Sequence, residues 1–515
     1  MKFYGHTDFP TSIPRIILWG VLIVGTAAIA YAFTHYGLPA GAAIALLPAG
    51  LCLLWASLRN PVVAMMGMFV VNYFIMGVGR SFPTFPSGVI LDAAMFYNLL
   101  ILILQAFAHK IEWGRARSGL TVVAAVWTLY CLLELVNPEA VSASGWVSSF
   151  RSMALYFLLT VVLTQITLAK YKYLKYMLFL WSVLTLIAVG KACIQKFVGF
   201  SAAENYWLFV LGGHVTHIIY TGVRYFSFFS DAANFGAGMG FSMVVFSIGA
   251  LYYRNRWMKL YLLLVAAAAC YGMLITGTRS ALAVPFGGYA VFVLLSRNFR
   301  VMLAGIVLLV GAFIFLNFTS IGNGNAIIRR ARSAFNTQDA SLQVRFENQA
   351  KLRALMRDKP FGAGLGHGGG KAKQFAPDAP LSQIPTDSWF VMIWVETGIV
   401  GVLLHLLILF YILGHGIRLI FFRLRDPQLR GLVSALIAGI AGVILMSYFN
   451  EVFGQIPTGV IIYMCMGFIF LAPRFDREIA EARKAAHTPV QSPASRLLTR
   501  IRTAGALPSE TAKPQ

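Results

Sequence analysis

Runs of apolar residues recur along the whole chain and are separated by short polar segments. Each run is near 20 residues long, the length that a helix needs to cross a hydrocarbon core of about 30 Å. Helices suit this environment because they satisfy their own backbone hydrogen bonds inside lipid. The runs predict fourteen spans, at residues 16–34, 39–57, 61–79, 89–108, 120–136, 151–169, 174–195, 231–252, 259–275, 280–296, 301–317, 388–413, 430–449 and 454–473. The fold class is therefore all-α, a polytopic transmembrane helix bundle.

Lysine and arginine are distributed unevenly among the loops. Every second loop is basic, as at Arg59, at residues 170–175 and at residues 254–259. The loops of the other set include residues 35–40 and 450–457, which carry no Lys or Arg. Short basic loops stay on the cytoplasmic side of a membrane. The charge pattern therefore predicts that both termini are cytoplasmic.

Two segments of the opposite, outer set are long, at residues 196–230 and 318–387. Long loops cross a membrane largely regardless of charge, so their basic residues do not oppose this topology. We divide the chain into a transmembrane bundle at 1–317, a partly helical periplasmic loop domain at 318–387, C-terminal transmembrane helices at 388–473, and a basic, partly disordered cytoplasmic tail at 474–515.

The formal charge of +23 changes this interpretation little. The basic residues cluster in loops between apolar runs, so we expect no nucleic acid partner. The five cysteines lie far apart, within or beside apolar runs, and form no CxxC pair. Neither a metal site nor a disulfide framework is indicated.

The loop at 318–387 is strongly cationic. It carries ten Lys or Arg residues, among them Arg345, and a cationic surface beside a bilayer attracts an anionic substrate or lipid headgroups. The alternative for each of these residues is a solvated helix face. Residues 342–358 favour a helix that Pro360 stops. The glycines at 362–370 have no phosphate-loop spacing, so we expect a flexible turn there.

Three polar sites fall at outer membrane boundaries, at Arg224, at Arg279 and at the pair Asp387–Ser388. Guanidinium groups stay charged and bind phosphate oxygens in pairs, so two arginines suit a diphosphate. A carboxylate suits deprotonation of a hydroxyl group. Headgroup snorkelling remains the alternative for each arginine, and a helix N-cap remains the alternative for Asp387 and Ser388.

Three stretches of this sequence resemble the O-antigen ligase/polymerase family. The first is DKPFGAGLG followed by TDSWFVMIWVETGIVG, in which nine residues separate Asp387–Ser388 from Gly398, and Gly401 follows three positions later. The second is TGTRS around Arg279, and the third is GVRYFSFFSDAANFGA around Arg224. Together they cover roughly residues 220–405.

The resemblance implies an enzyme that moves a glycan from an undecaprenyl-diphosphate donor to a sugar acceptor, without a metal or cofactor. Arg224 and Arg279 would hold the donor diphosphate, and the position of Asp387 would supply the general base or a group that positions the acceptor. Ser388, Arg345 and Asn234 would contact substrate. It also implies a multi-pass protein of the bacterial inner membrane with a periplasmic active site. Membrane lipids and other polysaccharide assembly proteins are candidate partners.

One position departs from the family pattern. The family has a histidine where this sequence has Asp387, so a carboxylate would accept the proton, or the base would be His214, His217 or His367. The substitution favours a polymerase of a surface polysaccharide or exopolysaccharide over a ligase that acts on lipid A core. Glu396, deeper in the same predicted helix, is interpreted as structural.

Two alternatives stay open. An exporter or flippase of lipid-linked oligosaccharide would carry charged or helix-breaking residues near mid-span, often in two corresponding halves. This chain has few mid-span charges and no evident half-to-half repetition, which favours the transferase. A catalytically inactive relative that scaffolds an assembly complex is the second alternative, because of Asp387.

Overall fold

The polar breaks between the apolar runs become helix boundaries in the structure, a computed structural model that describes residues 15–82, 87–108, 111–219, 222–335 and 340–487. The first ten helices are α1 (Arg15–Tyr36), α2 (Leu38–Arg59), α3 (Pro61–Ser81), α4 (Ser87–Phe107), α5 (Gly119–Leu133), α6 (Ala143–Phe150), α7 (Tyr156–Thr167), α8 (Tyr171–Phe197), α9 (Ala202–Phe209) and α10 (His214–His217). The others are α11 (Ala232–Tyr252), α12 (Arg256–Ile275), α13 (Ala283–Leu295), α14 (Phe299–Phe318), α15 (Ala326–Arg332), α16 (Ala340–Leu355), α17 (Gly369–Phe375), α18 (Trp389–Arg418), α19 (Pro427–Ser447) and α20 (Thr458–His487).

The strands of the described residues form one small antiparallel pair. Strand β1 (Ile218–Ile219) pairs with β2 (Gly222–Val223), with Ile218 opposite Val223 and Ile219 opposite Gly222. Short 3-10 or π turns continue several helices, and one of them, Arg279–Leu282, leads into α13. The all-α prediction is confirmed.

Within the described residues, eleven helices are long and apolar enough to cross a membrane. They coincide with eleven of the fourteen predicted spans. The other three predicted spans, 16–34, 39–57 and 280–296, are also helical, with shorter apolar stretches at Ile23–His35, Leu47–Arg59 and Arg279–Leu295. The chain is a multi-pass membrane protein.

The described residues fall into two compact units, one within residues 1–71 and 88–112 and the other within residues 72–87 and 113–515. In the first unit, α1 packs on α2. Polar side chains of α4 hold neighbouring backbone in this unit: the Asn98 amide donates to the Ala64 carbonyl at 3.2 Å, and the Gln105 amide donates to the Leu58 carbonyl at 2.7 Å.

The core of the second unit is formed by α11, α12, α13 and α19. Small residues let these helices approach closely, as is usual in membrane bundles. A Cβ atom at Gly442 would lie 2.2 Å from the Val284 carbonyl oxygen, and one at Gly236 would lie 2.9 Å from the Ala281 Cβ. By contrast, α14 has no buried residue and packs on α13 at the edge of the unit.

The predicted loop helix at 342–358 is present as α16, which ends at Leu355. Leu352 and Met356 pack with Ala363 and with Val395 of α18, so the loop is attached to the bundle by an apolar cluster. At the other end of the chain, α20 continues through Pro473 to His487, so the boundary placed at 473/474 lies inside a helix. The rest of the predicted tail, 488–515, lies outside the described residues.

The glycine-rich segment differs from the flexible turn that we expected. Gly362, Gly364 and Gly366 all have positive φ values, from 86° to 87°, and each lies against other backbone. A Cβ at Gly362 would meet the Gly398 amide nitrogen at 2.5 Å, and one at Gly366 would meet the Gly145 carbonyl carbon at 2.3 Å. The physical reason is space: only glycine permits both this conformation and this approach, so the segment is closely packed.

Several helix ends converge in the second unit. The start of α11, the turn before α13, the start of α18 and the segment 448–457 between α19 and α20 all contribute residues to adjoining cavities. These ends position the polar residues described next.

Candidate active site

Two adjoining cavities lie at the converging helix ends, with volumes of about 510 and 550 Å³. The first, the carboxylate cavity, has acidic residues in its lining: Asp231, Asp387 and Glu451. The second, the arginine cavity, is lined by the basic residues Arg279 and Arg330. Both cavities share the side chains of Arg224, Arg345 and Asn450. The sequence-predicted residues Arg224, Arg279, Arg345 and Asp387 are thus brought together.

Arg224 stands between the two cavities and is fixed by neighbouring groups. Its guanidinium donates to the Thr216 carbonyl at 3.0 Å and to the Thr278 hydroxyl at 2.8 Å, while its Nε atom is buried without a hydrogen-bond acceptor. Burial lowers the pKa of Arg224, and the cations Arg279 and Arg345 lower it further. Asp231 acts in the opposite direction. Mutual repulsion of buried cations means that an anion bound among them would be stabilised.

The second arginine is held in place by its own turn. Arg279 opens the 3-10 turn before α13, directly after Thr278. The Thr278 hydroxyl accepts from Arg224 and donates to the Ala232 carbonyl at 3.2 Å, which joins both arginine segments to the start of α11. Gly277, with φ of 59°, lies against the Arg330 guanidinium, where a Cβ would approach within 2.6 Å. The turn therefore collects three guanidinium groups around one cavity.

Asp387 occupies an unusual backbone conformation, with φ of 53°. Its carboxylate accepts a hydrogen bond from the Asn348 amide of α16 at 3.3 Å. The N-cap of α18 is Ser388, whose side chain makes no capping hydrogen bond and instead donates to the Ser447 carbonyl at 3.3 Å. Ser388 thus holds the N-cap position that the alternative predicted, without a capping hydrogen bond from its side chain, and Asp387 lines the cavity.

A second carboxylate lies beside Asp387. Glu451 accepts a hydrogen bond from the Thr386 hydroxyl. Burial raises the pKa of Glu451 to about 6, and the carboxylates of Asp387 and Asp231 also raise it. The Thr386 hydrogen bond and the Lys371 cation act in the opposite direction. A carboxylate with a pKa near the working pH is suited to proton transfer.

The segment 448–457 connects all of these groups. The Asn450 amide donates to the Ser280 hydroxyl, next to Arg279, and the Asn450 carbonyl accepts from the Trp389 amide at 3.3 Å. Gln455 accepts from the Ser230 hydroxyl at 2.9 Å, next to Asp231. One short segment thus fixes the positions of both arginine-bearing turns and of the Asp387 turn.

Comparison with known proteins bears on this arrangement. Residues 264–406 match the family model described as O-antigen ligase. The chain is also 26% identical over 351 residues to an O-antigen polymerase of Salmonella muenchen, a match that covers 63% of this chain and 82% of the relative. Over these residues the chain is similar to the O-antigen ligase/polymerase family. This confirms the resemblance and suggests a glycosyltransferase-type enzyme.

The family match contains part of the site. It includes the Arg279 turn, Arg345 of α16 and the Asp387 position, while Arg224 and Glu451 lie outside the matched residues. Both of these residues contact the matched region through hydrogen bonds. Arg224 donates to Thr278, and Glu451 accepts from Thr386.

Two other predicted site residues do not line the cavities. Ser388 is only 2% exposed and Asn234 is fully buried. The Asn234 amide donates to the Ser230 hydroxyl at 2.9 Å and to the Ile456 carbonyl at 2.6 Å. The two side chains lie behind the cavity walls, so direct substrate contact by either stays a prediction.

The three histidines considered as alternative bases all bond to backbone. His217 contacts the Gly213 carbonyl at 3.0 Å through Nδ1, and its Nε2 accepts from the Ala232 amide at 3.2 Å. Burial lowers the pKa of His217 to about 4, consistent with a neutral ring. His367 accepts from the Val141 amide at 3.0 Å, and His214 contacts the Leu208 carbonyl at 3.0 Å. These contacts favour the carboxylates as proton acceptors.

Sequence reasoning missed a residue below the Arg224 loop. Arg80, at the end of α3, is buried and donates to the carbonyls of Ser227, Phe229 and Ser230. Its guanidinium also lies over the Trp207 and Phe226 rings, at 4.7 and 4.4 Å from the ring centroids. The available signal was a charged residue at the end of an apolar run.

Glu451 was also missed, because the loop at 450–457 was used only to assign the side of the membrane. A single acidic residue in a short segment free of Lys and Arg was the available signal. Within the described ranges, no group of three or more His, Cys, Asp or Glu side chains is arranged to hold a metal ion.

Proposed function

We propose that this protein transfers a glycan from a polyprenyl-diphosphate donor to a sugar hydroxyl group. The observation that carries the proposal is the order of three adjoining cavities. An apolar cavity of about 730 Å³ shares Leu282 and Phe286 with the arginine cavity, which in turn shares Arg224 and Arg345 with the carboxylate cavity. This order matches a donor whose parts are a hydrocarbon chain, a diphosphate and a sugar.

The apolar cavity is lined mainly by α11, α12, α13 and α14. Nearly all of its lining is aliphatic or aromatic, as with Leu263, Phe292 and Leu308. It adjoins the Arg279 turn through Leu282. A lipid tail seated there would leave its headgroup phosphates among the guanidinium groups.

In the proposed step, the oxygen of the acceptor hydroxyl forms a bond to the anomeric carbon of the donor sugar. The bond between that carbon and the phosphate oxygen breaks, and the diphosphate leaves with the electron pair. The proton of the hydroxyl passes to a carboxylate, either Asp387 or Glu451. Asn348 holds Asp387 from α16, and Thr386 holds Glu451.

The arginines would stabilise the leaving group. Negative charge grows on the diphosphate as the bond breaks, and fixed cations at that place lower the barrier. Arg224 and Arg279 bear this role, and Arg345 adds a third cation from α16. A positioned general base contributes on the order of 10²–10⁴-fold in rate.

We further propose a polymerase rather than a lipid A-core ligase, since Asp387 replaces the histidine of the family pattern and the relative in Salmonella muenchen is named an O-antigen polymerase. The proposed location is the bacterial inner membrane, with cytoplasmic termini and the cavities on the periplasmic side. The loop charge asymmetry supports this location, because the cavity-forming segments belong to the set of loops opposite the short basic ones.

The test uses the full chain reconstituted in vesicles with a lipid-linked repeat unit. Lengthening of the glycan by the wild type, lost in Arg224→Ala and Arg279→Ala with expression unchanged, supports the proposal. Transfer of the glycan to lipid A core, without lengthening, would show that the protein is a ligase and not a polymerase. Movement of an unchanged glycan across the bilayer would instead identify an exporter.

A further inference from the structure

A second basic groove lies apart from the three cavities, between α16 and α18. It has a volume of about 690 Å³. Its basic lining residues are Arg353, Arg357 and Lys359, and its apolar lining includes Trp394 and Ile399 of α18. None of these residues lines the carboxylate or the arginine cavity. A ligand bound in this groove would therefore be different from the diphosphate that reacts in the active-site cavities.

The groove is a built feature, because α16 is pinned to α18 where it ends. The Ala363 amide donates to the Val395 carbonyl at 2.8 Å, and the Val400 amide donates to the Pro360 carbonyl at 3.3 Å. Leu352 and Met356 add an apolar cluster with Val395 on the inner side of α16. The basic side chains thus have a fixed backbone relative to Trp394.

The charge of the groove is positive. None of the described residues that line it is acidic. Lys359 forms an ion pair with Glu139, so the net charge of the lining comes from Arg353, on α16, and Arg357, in the turn just after it. Guanidinium groups pair with phosphate oxygens in bidentate fashion, so a phosphate group fits this position.

An apolar stripe leads away from the groove along α18. Ile399 is 49% exposed, and Leu403, Leu407 and Phe410 follow it on the same side of the helix, each more than half exposed. Exposed apolar side chains on a spanning helix face lipid tails, and tryptophan is enriched at the level of the headgroups. Trp394 lines the groove together with the two arginines, and the stripe continues from Ile399 along α18.

We propose that this groove binds the phosphate headgroup of an anionic membrane lipid, whose acyl chains lie on the exposed stripe of α18. The arginines alone would fit any anion, and the apolar stripe alone would fit any lipid. Because the stripe begins at the groove, the ligand that fits both features is a phosphate group attached to a hydrocarbon tail. The same helix carries Arg345, which lines the active-site cavities, and Asn348, which donates to Asp387, so a bound lipid would also hold that helix at the membrane surface.

The test is native mass spectrometry of the full-length protein released from mixed micelles with phosphatidylglycerol or phosphatidylcholine. Wild-type protein should retain phosphatidylglycerol in preference to phosphatidylcholine. Arg353→Gln and Arg357→Gln should each weaken phosphatidylglycerol retention about fivefold, the contribution of one basic residue near an anionic membrane. Lys351→Gln, on the same helix but outside the groove lining, is the matched control and should change little.

Three outcomes would overturn the proposal: equal retention of both lipids, an equal loss in Lys351→Gln, or no loss when Arg353→Gln and Arg357→Gln are combined in one variant. Competition by inorganic phosphate at millimolar concentration, with no preference for a lipid, would assign the groove to a free anion instead. The double variant Arg353→Lys/Arg357→Lys guards against misfolding, because it keeps both charges and should keep most of the phosphatidylglycerol retention.

Discussion

The Thr386 hydroxyl donates a hydrogen bond to the Glu451 carboxylate, joining the residue before Asp387 to the segment between the last two helices. Sixty-five positions separate the two residues in sequence. The contact places two carboxylates on one wall of a cavity whose other walls bear arginines. This pairing of acids with cations is the basis of the predictions below.

Glu451→Gln should reduce glycan transfer by about 10²–10⁴-fold if Glu451 accepts the proton, since that is the usual contribution of a general base. Asp387→Asn should show a similar loss if Asp387 is the base instead, so the two variants separate the two assignments. The measurement is turnover of a lipid-linked repeat unit in vesicles. Glu347→Gln, an exposed acid of α16 outside the cavity lining, is the control and should retain activity. Equal activity in all three variants would show that neither carboxylate accepts the proton.

The raised pKa of Glu451 predicts a pH dependence of stability. Folding raises this pKa from its ordinary value of 4.5 to about 6. A raised carboxyl pKa means that the folded protein binds the proton more tightly, so ionisation destabilises it at high pH. Relative to Glu451→Gln, the wild type should lose stability as pH rises from about 4.5 to 6 and then stay level. Melting temperatures of both proteins across pH 4–8 measure the difference.

In that comparison a constant difference across the range would show that Glu451 titrates normally. A wild type that gains stability relative to the variant as pH rises would show a lowered pKa. Transfer activity should fall on the acidic side of about pH 6 for the same reason, because a protonated carboxyl cannot accept the proton.

Replacing Arg224 or Arg279 by lysine should reduce transfer even though the charge is kept. Guanidinium geometry allows paired contacts with phosphate oxygens that an ammonium group cannot reproduce. We expect a loss of at least about tenfold in turnover for each variant, in keeping with the strength of charge-assisted hydrogen bonds. Arg329→Lys is the control, because Arg329 donates to the Asn323 and Gly324 carbonyls outside the cavities. A lysine variant with full activity would show that charge alone suffices at that position.

Arg80 offers a separate test of how the Arg224 loop is held. Arg80→Gln should lower activity by loosening residues 227–230, whose carbonyls it binds, without removing a group that touches substrate. The expected signature is faster proteolysis within residues 218–231 together with a raised KM for the donor. Arg80→Lys should restore part of both properties. Normal proteolysis with lost activity would point to a direct role in the reaction.

The helices and part of the site could be predicted from the sequence, for a physical reason. Apolar length is a local property, so each predicted span corresponds to a helix. The arginine positions were accessible because short motifs around Arg224 and Arg279 carry the family pattern. Glu451 and Arg80 were not accessible, since their roles depend on contacts across 65 and about 150 positions.

The glycine-rich segment shows the same limit. Its composition is compatible with a flexible turn, and only the positions of Gly145, Glu396 and Gly398 show that its glycines are closely packed against backbone. Spacing in sequence does not reveal which backbone will lie opposite. The contacts of the folded chain decide that point.

Gly398→Ala tests this packing most directly. Gly398 interrupts α18 with φ of 66°, and a Cβ there would lie 1.9 Å from the Pro360 carbonyl oxygen. Both the conformation and the overlap oppose any side chain, and together they should cost at least about 2 kcal/mol of stability. Gly414→Ala, on the same helix with no atom within 4 Å of the added Cβ, should be neutral or slightly stabilising. Melting temperature and the yield of monodisperse protein measure both variants.

Equal behaviour of the two would show that the segment at Pro360–Gly362 does not lie in the kink of α18. A selective loss in Gly398→Ala would show that this kink attaches the loop helix, and with it Arg345 and Asn348, to the membrane bundle.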